Sequence, residues 1–402
     1  MSYLKLFHDV IDSSLCSSCG ACVAACPQDV LTISVDDPLP RLQAGAGDEC
    51  GSCSICTAVC PGQVTGVAES EQRIFGRRRD QSERWGGIVR AVFSARAADS
   101  GVLAAASAGG AVTSLLVSAL HRGAIDAALV IGRDPERPWV PVPRLAATAA
   151  EIVECAQATY CITPNLQMLR DAPYERIAVV GVPCQIEAVQ KMRNMGEHVV
   201  PAVGKVAFTI ELACASSTSR AGTEHLIENR LRLPLADVTR MRYRAGDYPG
   251  EFTVWDRDGD QHRLPFHELV TEFKNFKTFR CQACPDWWSG LADISVSDGD
   301  PNIFRTSRDG AQVPKASLLV TRTELGDEFV RRAVDAGDLV VRPGTFRPEE
   351  SLGLQRKRNR YLACRRSYPG PLPTGPTDQE ESTDRVLGDH EVIEAMSGGA
   401  AA

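Results

Sequence analysis

Two runs of cysteines near the start of the sequence have a spacing that could bind iron–sulfur clusters. Each run reads C-x2-C-x2-C-x3-C-P, so that one short loop carries three thiolates. Zinc sites use two separated Cys-x-x-Cys pairs instead, and clustered cysteines in a reducing compartment bind metal rather than form disulfides. The spacing therefore predicts iron–sulfur ligands at Cys16, Cys19, Cys22, Cys26, Cys50, Cys53, Cys56 and Cys60.

The two runs together resemble the bacterial two-cluster ferredoxins. In such a module the fourth cysteine of each run ligates the cluster held by the other run. The resemblance implies one 4Fe–4S cluster on Cys16, Cys19, Cys22 and Cys60, and a second on Cys26, Cys50, Cys53 and Cys56. We expect residues 1–69 to form this small α+β domain, whose two clusters would act as a short electron relay.

A further group of cysteines is scattered along the chain. Cys281 and Cys284 form a lone Cys-x-x-Cys pair, which is usually half of a metal site. Cys184 and Cys214 each follow a predicted buried strand. Because the carboxyl ends of neighbouring strands meet at one edge of a sheet, these four thiols could form one site. Buried cysteines also pack as small apolar side chains, and the spacing alone leaves that alternative open.

The region around these cysteines has the strand–turn–helix pattern of an α/β protein. An amphipathic helix follows Gly109–Gly110, where free N–H groups could hold a phosphate, although a simple turn is the plainer interpretation. The stretch "EFTVWDRDGDQHRLPF" predicts a β-hairpin that turns at Asp258–Gly259. We expect an α/β core, a mixed sheet with flanking helices, over residues 88–365. Buried strands are predicted at 127–132, 176–180 and 206–212.

Two polar stretches flank that core. Residues 70–87 have few apolar positions and predict a linker. Its run Arg77–Arg79 is expected to be solvated, with docking of an acidic partner as the alternative. Residues 366–402 are rich in proline, glycine and acidic residues, a composition that is typical of disordered segments.

The composition of the whole chain excludes several classes of protein. The 402 residues carry a net charge of −7, which argues against nucleic acid and anionic membranes as partners. No apolar run reaches the ~18 residues of a membrane span, and the first residues lack the apolar core of a signal peptide. We expect a cytoplasmic protein.

Five stretches carry a resemblance to one family over roughly residues 85–365. They are "GGAVTSLLVSAL", "QATYCITPNL", "GVPCQI", "IELACASS" and "CQACPDWWSGLADISVSDGD". In this order they resemble the beta subunits of coenzyme F420-reducing hydrogenases and dehydrogenases. That family includes 7-hydroxymethyl chlorophyll a reductase and divinyl chlorophyllide 8-vinyl reductases.

The resemblance implies FAD beside a third 4Fe–4S cluster. The family's cluster ligands correspond to Cys184, Cys214, Cys281 and Cys284. Its stretches imply FAD contacts at Ser107, Gly109, Gly110, Thr113, Tyr160, Thr163, Asn165, Gln185 and Asp298. No residue is assigned a catalytic role.

These cofactors predict an oxidoreductase that converts hydride transfer into single-electron transfer. Hydride would pass between FAD and a small molecule, with coenzyme F420 as the expected partner, and the clusters would exchange electrons with a ferredoxin or a redox subunit. Two alternatives remain open. One is a ferredoxin-dependent reductase of a small organic substrate, and the other is a relay subunit of a larger redox complex.

Overall fold

A computed structural model of the chain describes residues 2–46, 50–51, 53–63, 66–368, 370 and 372. Helix α14 extends to Ser367, so the first two residues of the tail predicted for 366–402 are helical. From residue 373 onward this tail lies outside the described residues. The described helices are α1 (Ser2–Leu6), α2 (Ala21–Ala24), α3 (Ile55–Ala58), α4 (Val67–Phe75), α5 (Ser100–Ala105), α6 (Ala111–His121), α7 (Ala149–Glu154), α8 (Pro183–Met195), α9 (Arg220–His225), α10 (Phe266–Phe273), α11 (Phe279–Gln282), α12 (Ile303–Asp309), α13 (Glu324–Asp335) and α14 (Leu352–Ser367).

An eight-stranded mixed sheet forms the centre of the molecule, in the order β13-β3-β12-β11-β7-β6-β4-β5. The four inner strands β11, β7, β6 and β4 are parallel, and the outer strands pair antiparallel. The strands are β1 (Leu31–Thr32), β2 (Arg41–Leu42), β3 (Ala91–Ala97), β4 (Ala127–Arg133), β5 (Pro141–Ala146), β6 (Ile177–Gly181), β7 (Val206–Leu212), β8 (Arg240–Ala245), β9 (Glu251–Trp255), β10 (Gln261–Pro265), β11 (Ile294–Asp298), β12 (Ser317–Thr321) and β13 (Leu339–Pro343).

The parallel strands are buried on both faces, which explains their continuous apolar sequences. On one face α6, α7 and α13 cover the sheet with a core that includes Leu115, Ile152 and Phe329. On the other face α8 and a short 3-10 helix, Asn165–Leu169, pack with Ile186. The α/β core with a mixed sheet and flanking helices is therefore confirmed.

The local sequence predictions around the sheet are also confirmed. Helix α6 begins directly after Gly110, which has φ +73°, and strands β4, β6 and β7 lie within one residue of the predicted bounds. Strands β9 and β10 form the predicted hairpin, and β8 joins them in a second, three-stranded sheet.

The amino-terminal module is small and packs directly against the core. It contains the two-stranded sheet β1–β2, and helices α2 and α3 carry Cys22 and Cys56. The backbone N–H of Leu166 donates to the carbonyl oxygen of Cys19 at 3.0 Å. Gly20 has φ +85°, and a Cβ there would lie 2.7 Å from the backbone nitrogen of Gln167. Glycine thus permits the close approach of the first cysteine loop to the core.

The segment 70–87 departs from the expectation of a linker with solvated arginines. Helix α4 continues through Phe75, and Arg79 is only 5% exposed. Its guanidinium pairs with Glu71, which is 3% exposed, and donates to the carbonyl oxygen of Ser289 at 2.6 Å. The prediction of solvation is wrong for Arg79 because its polar partners are inside the fold, where a sequence pattern does not reveal them.

None of the described helices combines the length and the apolarity that crossing a membrane requires. The cytoplasmic location stays a prediction.

Candidate functional site

The four scattered cysteines lie on elements that meet at one edge of the sheet. Cys184 is the second residue of α8, directly after β6, and Cys214 follows the neighbouring parallel strand β7. Cys281 lies on α11, and Cys284 follows that helix. The N–H of Cys214 donates to the carbonyl oxygen of Trp287 at 3.0 Å, which ties the end of β7 to the segment after Cys284.

The thiols of these residues are within electrostatic range of one another. Burial raises the pKa of the Cys184 thiol, and the charges of Cys284 and Cys214 act in the same direction. Burial raises the pKa of Cys214 to about 11, with Cys281 and Cys284 adding to the effect. The fold therefore brings together four residues that are spread over about a hundred positions of the sequence.

This geometry differs from that of a single metal ion. Within the ranges that the structure covers, no three Cys, His, Asp or Glu side chains converge as ligands of one ion. A 4Fe–4S cluster is held by four thiolates and contains four irons, so its ligands need not meet at a common point. All fifteen cysteines are free of disulfide bonds, so a disulfide framework does not explain them.

Two buried cations flank this cysteine site, and sequence reasoning missed both. Lys357 of α14 and Arg280 of α11 are each 2% exposed. The Lys357 ammonium donates to the carbonyl oxygen of Cys214 at 2.8 Å. Nε and Nη1 of Arg280 are buried and have no hydrogen-bond partner among the described residues. Buried positive charge with unused donors fits an anionic thiolate cluster, because such groups otherwise carry a large desolvation cost.

In the module, the structure brings together one of the two predicted ligand sets. Burial raises the pKa of Cys60 to about 12, followed by the charges of Cys16 and Cys19. Burial also raises the pKa of Cys22, and the charges of Cys19, Cys16 and Cys60 add to it. These four cysteines therefore lie close together.

The second predicted ligand set of the module is nearer the surface. Cys50 and Cys56 are buried, whereas Cys26 and Cys53 are partly exposed. Residues 47–49 and 52, which adjoin this set, lie outside the described part of the chain.

A cavity of about 850 Å³ opens beside the four-cysteine site. Cys214 lines it, as do residues from the start of α6 and from the carboxyl ends of the inner strands. Six of the nine predicted FAD contacts line this cavity, namely Ser107, Gly110, Thr113, Tyr160, Gln185 and Asp298. Ligands of open α/β sheets bind at this edge of the strands.

The other three predicted contacts lie outside the cavity lining. A Cβ at Gly109 would lie 2.3 Å from the carbonyl oxygen of Ala95, so this glycine permits close packing of α6 on the sheet. Asn165 and Thr163 are buried, and both accept hydrogen bonds from the amide of Gln185. Their observed role is to orient Gln185, and their direct contact with a ligand stays a prediction.

Two polar groups of the cavity wall have atoms that a ligand would satisfy. Arg244 is held by Asp298, with Nη1 and Oδ1 2.9 Å apart, and its Nε donates to the carbonyl oxygen of Pro249 at 2.7 Å. Its Nη2, like Oε1 of Gln157, is buried without a hydrogen-bond partner in the part of the chain that the structure describes. Unsatisfied buried groups on a cavity wall indicate a binding site.

Another part of the cavity wall is cationic. Lys274, Lys277, Arg356 and Arg360 all line it. Burial lowers the pKa of Lys277 to about 8, and the charges of Arg360 and Lys274 lower it further. Positive charges placed this close together favour an anionic ligand.

Comparisons with known proteins identify the family of the core and the type of the module. The N-terminal model of the coenzyme F420 hydrogenase/dehydrogenase beta subunits matches residues 92–170, and the C-terminal model matches 174–345. The chain is 30% identical over 255 residues to the beta subunit of coenzyme F420 hydrogenase from Methanosarcina barkeri, covering 62% of this chain and 80% of that one. The chain belongs to the family of coenzyme F420 hydrogenase/dehydrogenase beta subunits. A 4Fe–4S binding domain model matches residues 9–32.

Two further relatives of this family extend the comparison. A subunit of the F420H2 dehydrogenase of Methanosarcina mazei is 28% identical over 365 residues, which cover 87% of this chain and 92% of that subunit. A chain of the F420-reducing [NiFe] hydrogenase complex from Methanosarcina barkeri, in a xenon-derivatized structure, aligns with a TM-score of 0.57 and 26% identity. That alignment covers 71% of this chain and 93% of the hydrogenase chain. The protein is thus an iron–sulfur redox protein of an F420-related oxidoreductase family.

Proposed function

We propose that this family member is an iron–sulfur flavoprotein that exchanges a hydride with coenzyme F420 at FAD and passes single electrons through three 4Fe–4S clusters. One observation carries the proposal. Cys214 lines the cavity, and the Cys184 thiol lies within electrostatic range of both Cys214 and Cys19 of the module. A two-electron site and a one-electron relay would therefore adjoin each other.

The size of the cavity and its polar groups support FAD as the ligand. Its volume of about 850 Å³ falls in the range of small-molecule sites. Ser107 and Gly110 at the start of α6 would hold phosphate, and the unsatisfied atoms of Gln157 and Arg244 would contact polar atoms of the cofactor. When bound, FAD would supply the chemistry that accepts a hydride and releases its electrons singly.

The residues of the wall would fix charge and orientation at this site. Asp298 and the carbonyl oxygen of Pro249 hold the Arg244 guanidinium in one orientation, so it would present a positive charge without reorganisation. Asn165 would do the same for the Gln185 amide. The apolar remainder of the wall would exclude water.

Two observations support F420 as the hydride partner. The relatives are named for F420 or F420H2, and the cationic part of the cavity wall around Lys277 suits an anionic hydride carrier. The second predicted cluster of the module, on Cys26, Cys50, Cys53 and Cys56, is called the outer module cluster. The partial exposure of Cys26 and Cys53 supports electron exchange with a protein partner at this cluster.

A second candidate function is a relay subunit of a larger redox complex. The relatives are named as subunits, and the structural neighbour belongs to a hydrogenase complex. In this case the same cofactors would be present, but turnover would require the partner subunits.

Anaerobic assay of the purified chain distinguishes these functions. We expect FAD in the acid extract, and oxidation of F420H2 coupled to the reduction of two molecules of a one-electron dye. NADPH serves as the control donor and should be inert. Activity that appears only with added subunits would favour the relay, whereas turnover of an organic compound with reduced ferredoxin alone would favour a substrate reductase. An extract without flavin would contradict the proposal.

A further inference from the structure

Arg280 connects the module to the core at the point where the two cysteine groups approach each other. It immediately precedes Cys281, and its Nη2 donates to the carbonyl oxygen of Pro61 at 3.0 Å. Pro61 in turn follows Cys60. Cys60 is predicted to hold one cluster of the module together with Cys16, Cys19 and Cys22, and we call this cluster the inner module cluster. One buried side chain therefore contacts the backbone next to one cluster site while its own backbone adjoins the other.

The remaining donors of this guanidinium are not used by protein groups. Nε and Nη1 are buried and lack a hydrogen-bond partner in the described ranges. The carboxyl groups whose charges act on it are those of Glu187 and Asp286. Burial raises the pKa of Glu187, which weakens this carboxyl as a counter-charge.

The charge of Arg280 acts on thiols of both cysteine groups. On the core side it acts on Cys184 and Cys284. On the module side it acts on Cys16 and Cys19. One guanidinium charge therefore acts on thiols of both cysteine groups.

We propose that Arg280 is a positioning residue shared by two clusters, and that its charge raises the reduction potentials of both. The inference rests on the proposed third cluster at Cys184, Cys214, Cys281 and Cys284. Reduction adds a negative charge to a cluster, and a buried guanidinium stabilises that added charge strongly because water does not screen it. Unused N–H groups would add hydrogen bonds to cluster sulfur.

A shared cation has a different effect from two separate ones. It moves both potentials in the same direction, so the difference between them changes less than either value. The driving force for electron transfer between the core cluster and the inner module cluster would therefore change little, while both clusters become easier to reduce.

The test compares Arg280→Met with Arg280→Lys and with Lys357→Met in the full chain. Lys357 is the matched control because its charge acts on Cys284, Cys214 and Cys281, which all belong to the core site. Each protein is purified anaerobically, its iron is counted, and its clusters are titrated under spectroscopic redox control.

In Arg280→Met, the inner module cluster and the core cluster should each shift to lower potential. We expect about a tenfold change in the ratio of reduced to oxidised cluster at fixed potential, which is ~59 mV for one electron. In Lys357→Met only the core cluster should shift, and the outer module cluster should be unchanged in both variants. Unchanged potentials in an iron-replete Arg280→Met protein would overturn the inference and leave the proposed function intact.

Arg280→Lys covers the case in which the methionine variant loses iron. The lysine keeps the charge, so both clusters should stay near their wild-type potentials. A fall of about 59 mV in both potentials of Arg280→Lys would overturn the inference, because the charge would then not be what raises them. Wild-type protein that holds only about eight irons when fully loaded would instead contradict the third cluster and hence the proposed function.

Discussion

The amino-terminal module and the core site assemble their cysteines in opposite ways. The module's eight cysteines all lie between Cys16 and Cys60, and each short loop preorganises three of them. The core site draws on four residues spread between Cys184 and Cys284, which lie on α8 and α11 or shortly after β7 and α11. Closing short loops costs little entropy, whereas the core site exists only after β6 and β7 have paired. Local spacing therefore identifies the first kind of site, and the fold creates the second.

The two regions also differ in their counter-charges. The core site is flanked by the buried cations Arg280 and Lys357, which approach from different helices. The outer set of the module includes the partly exposed Cys26 and Cys53, where water can contribute to solvation. Loss of a cysteine at the core site should therefore leave buried cations without a counter-charge, whereas water can compensate for such a loss at the outer set.

The largest effect is expected for Cys184→Ala. Loss of this ligand should remove the core cluster alone, so fully loaded protein would hold about eight irons instead of about twelve. Electron transfer from the cavity to the module should stop, because the removed cluster lies between them. Iron and acid-labile sulfide analysis measures the first effect, and stopped-flow oxidation of F420H2 with ferredoxin as acceptor measures the second.

Cys364→Ala is the control for this variant, since Cys364 of α14 belongs to neither cysteine group. It should retain the full iron content. A Cys184→Ala protein that keeps all its iron would show that Cys184 is a packing residue, and the comparison between the two regions would lose its basis.

A smaller and more selective effect is expected for Cys53→Ala. This change should remove the outer module cluster and leave the core cluster and the cavity intact. F420H2 should still bleach the flavin in a single mixing experiment, while steady transfer to ferredoxin should fall on the order of tenfold or more. Full-rate ferredoxin reduction by Cys53→Ala would mean that electrons leave by another route and that the outer set serves docking or structure.

The smallest effect concerns the cationic wall of the cavity. Burial, then Arg360 and Lys274, lower the pKa of Lys277 to about 8, so the ammonium loses its proton as the pH rises through 8. An anionic substrate should therefore bind more weakly at pH 9 than at pH 7. We expect the KM for F420H2 to rise about tenfold, because a charge-assisted contact is worth ~1.5 kcal/mol.

Lys277→Met separates this effect from the ionisation of the substrate. The variant should have a high KM at pH 7 that changes little further at pH 9, beyond the substrate's own titration. Identical pH profiles for the two proteins would show that Lys277 does not contact the substrate.

The sequence was sufficient to predict the helices and strands of the core. It was insufficient to predict which groups surround the four-cysteine site. Periodic apolar residues located α6 and the inner strands, because burial on both sheet faces imposes a local pattern. The convergence of Cys184 and Cys214 was deducible from their equivalent positions after neighbouring strands. That Cys281 and Cys284 join them was one of two alternatives left open by the spacing, since no local rule specifies where α11 packs, and the family resemblance favoured it.

The charged residues show most clearly why the remainder was not predictable. Lys357 lies in a helix with many basic residues, a pattern that usually indicates a solvated surface, and yet its ammonium is buried beside Cys214. Arg79 was misjudged for the same reason. Arg280 offered one signal, its position directly before Cys281, but its bond to the module depends on contacts more than two hundred residues apart in the chain.

Helix α14 has a consequence for how the protein is made. Its Lys357 covers the core site, and it follows Cys284 by about seventy residues. At ~5–20 residues per second, the ribosome adds Lys357 roughly 4–15 s after the last cysteine ligand has been synthesised. Until then the site has no lid on that side, so the biosynthetic machinery has a defined interval in which to insert iron and sulfide. Chains that miss this interval would have to release α14 before they could be repaired.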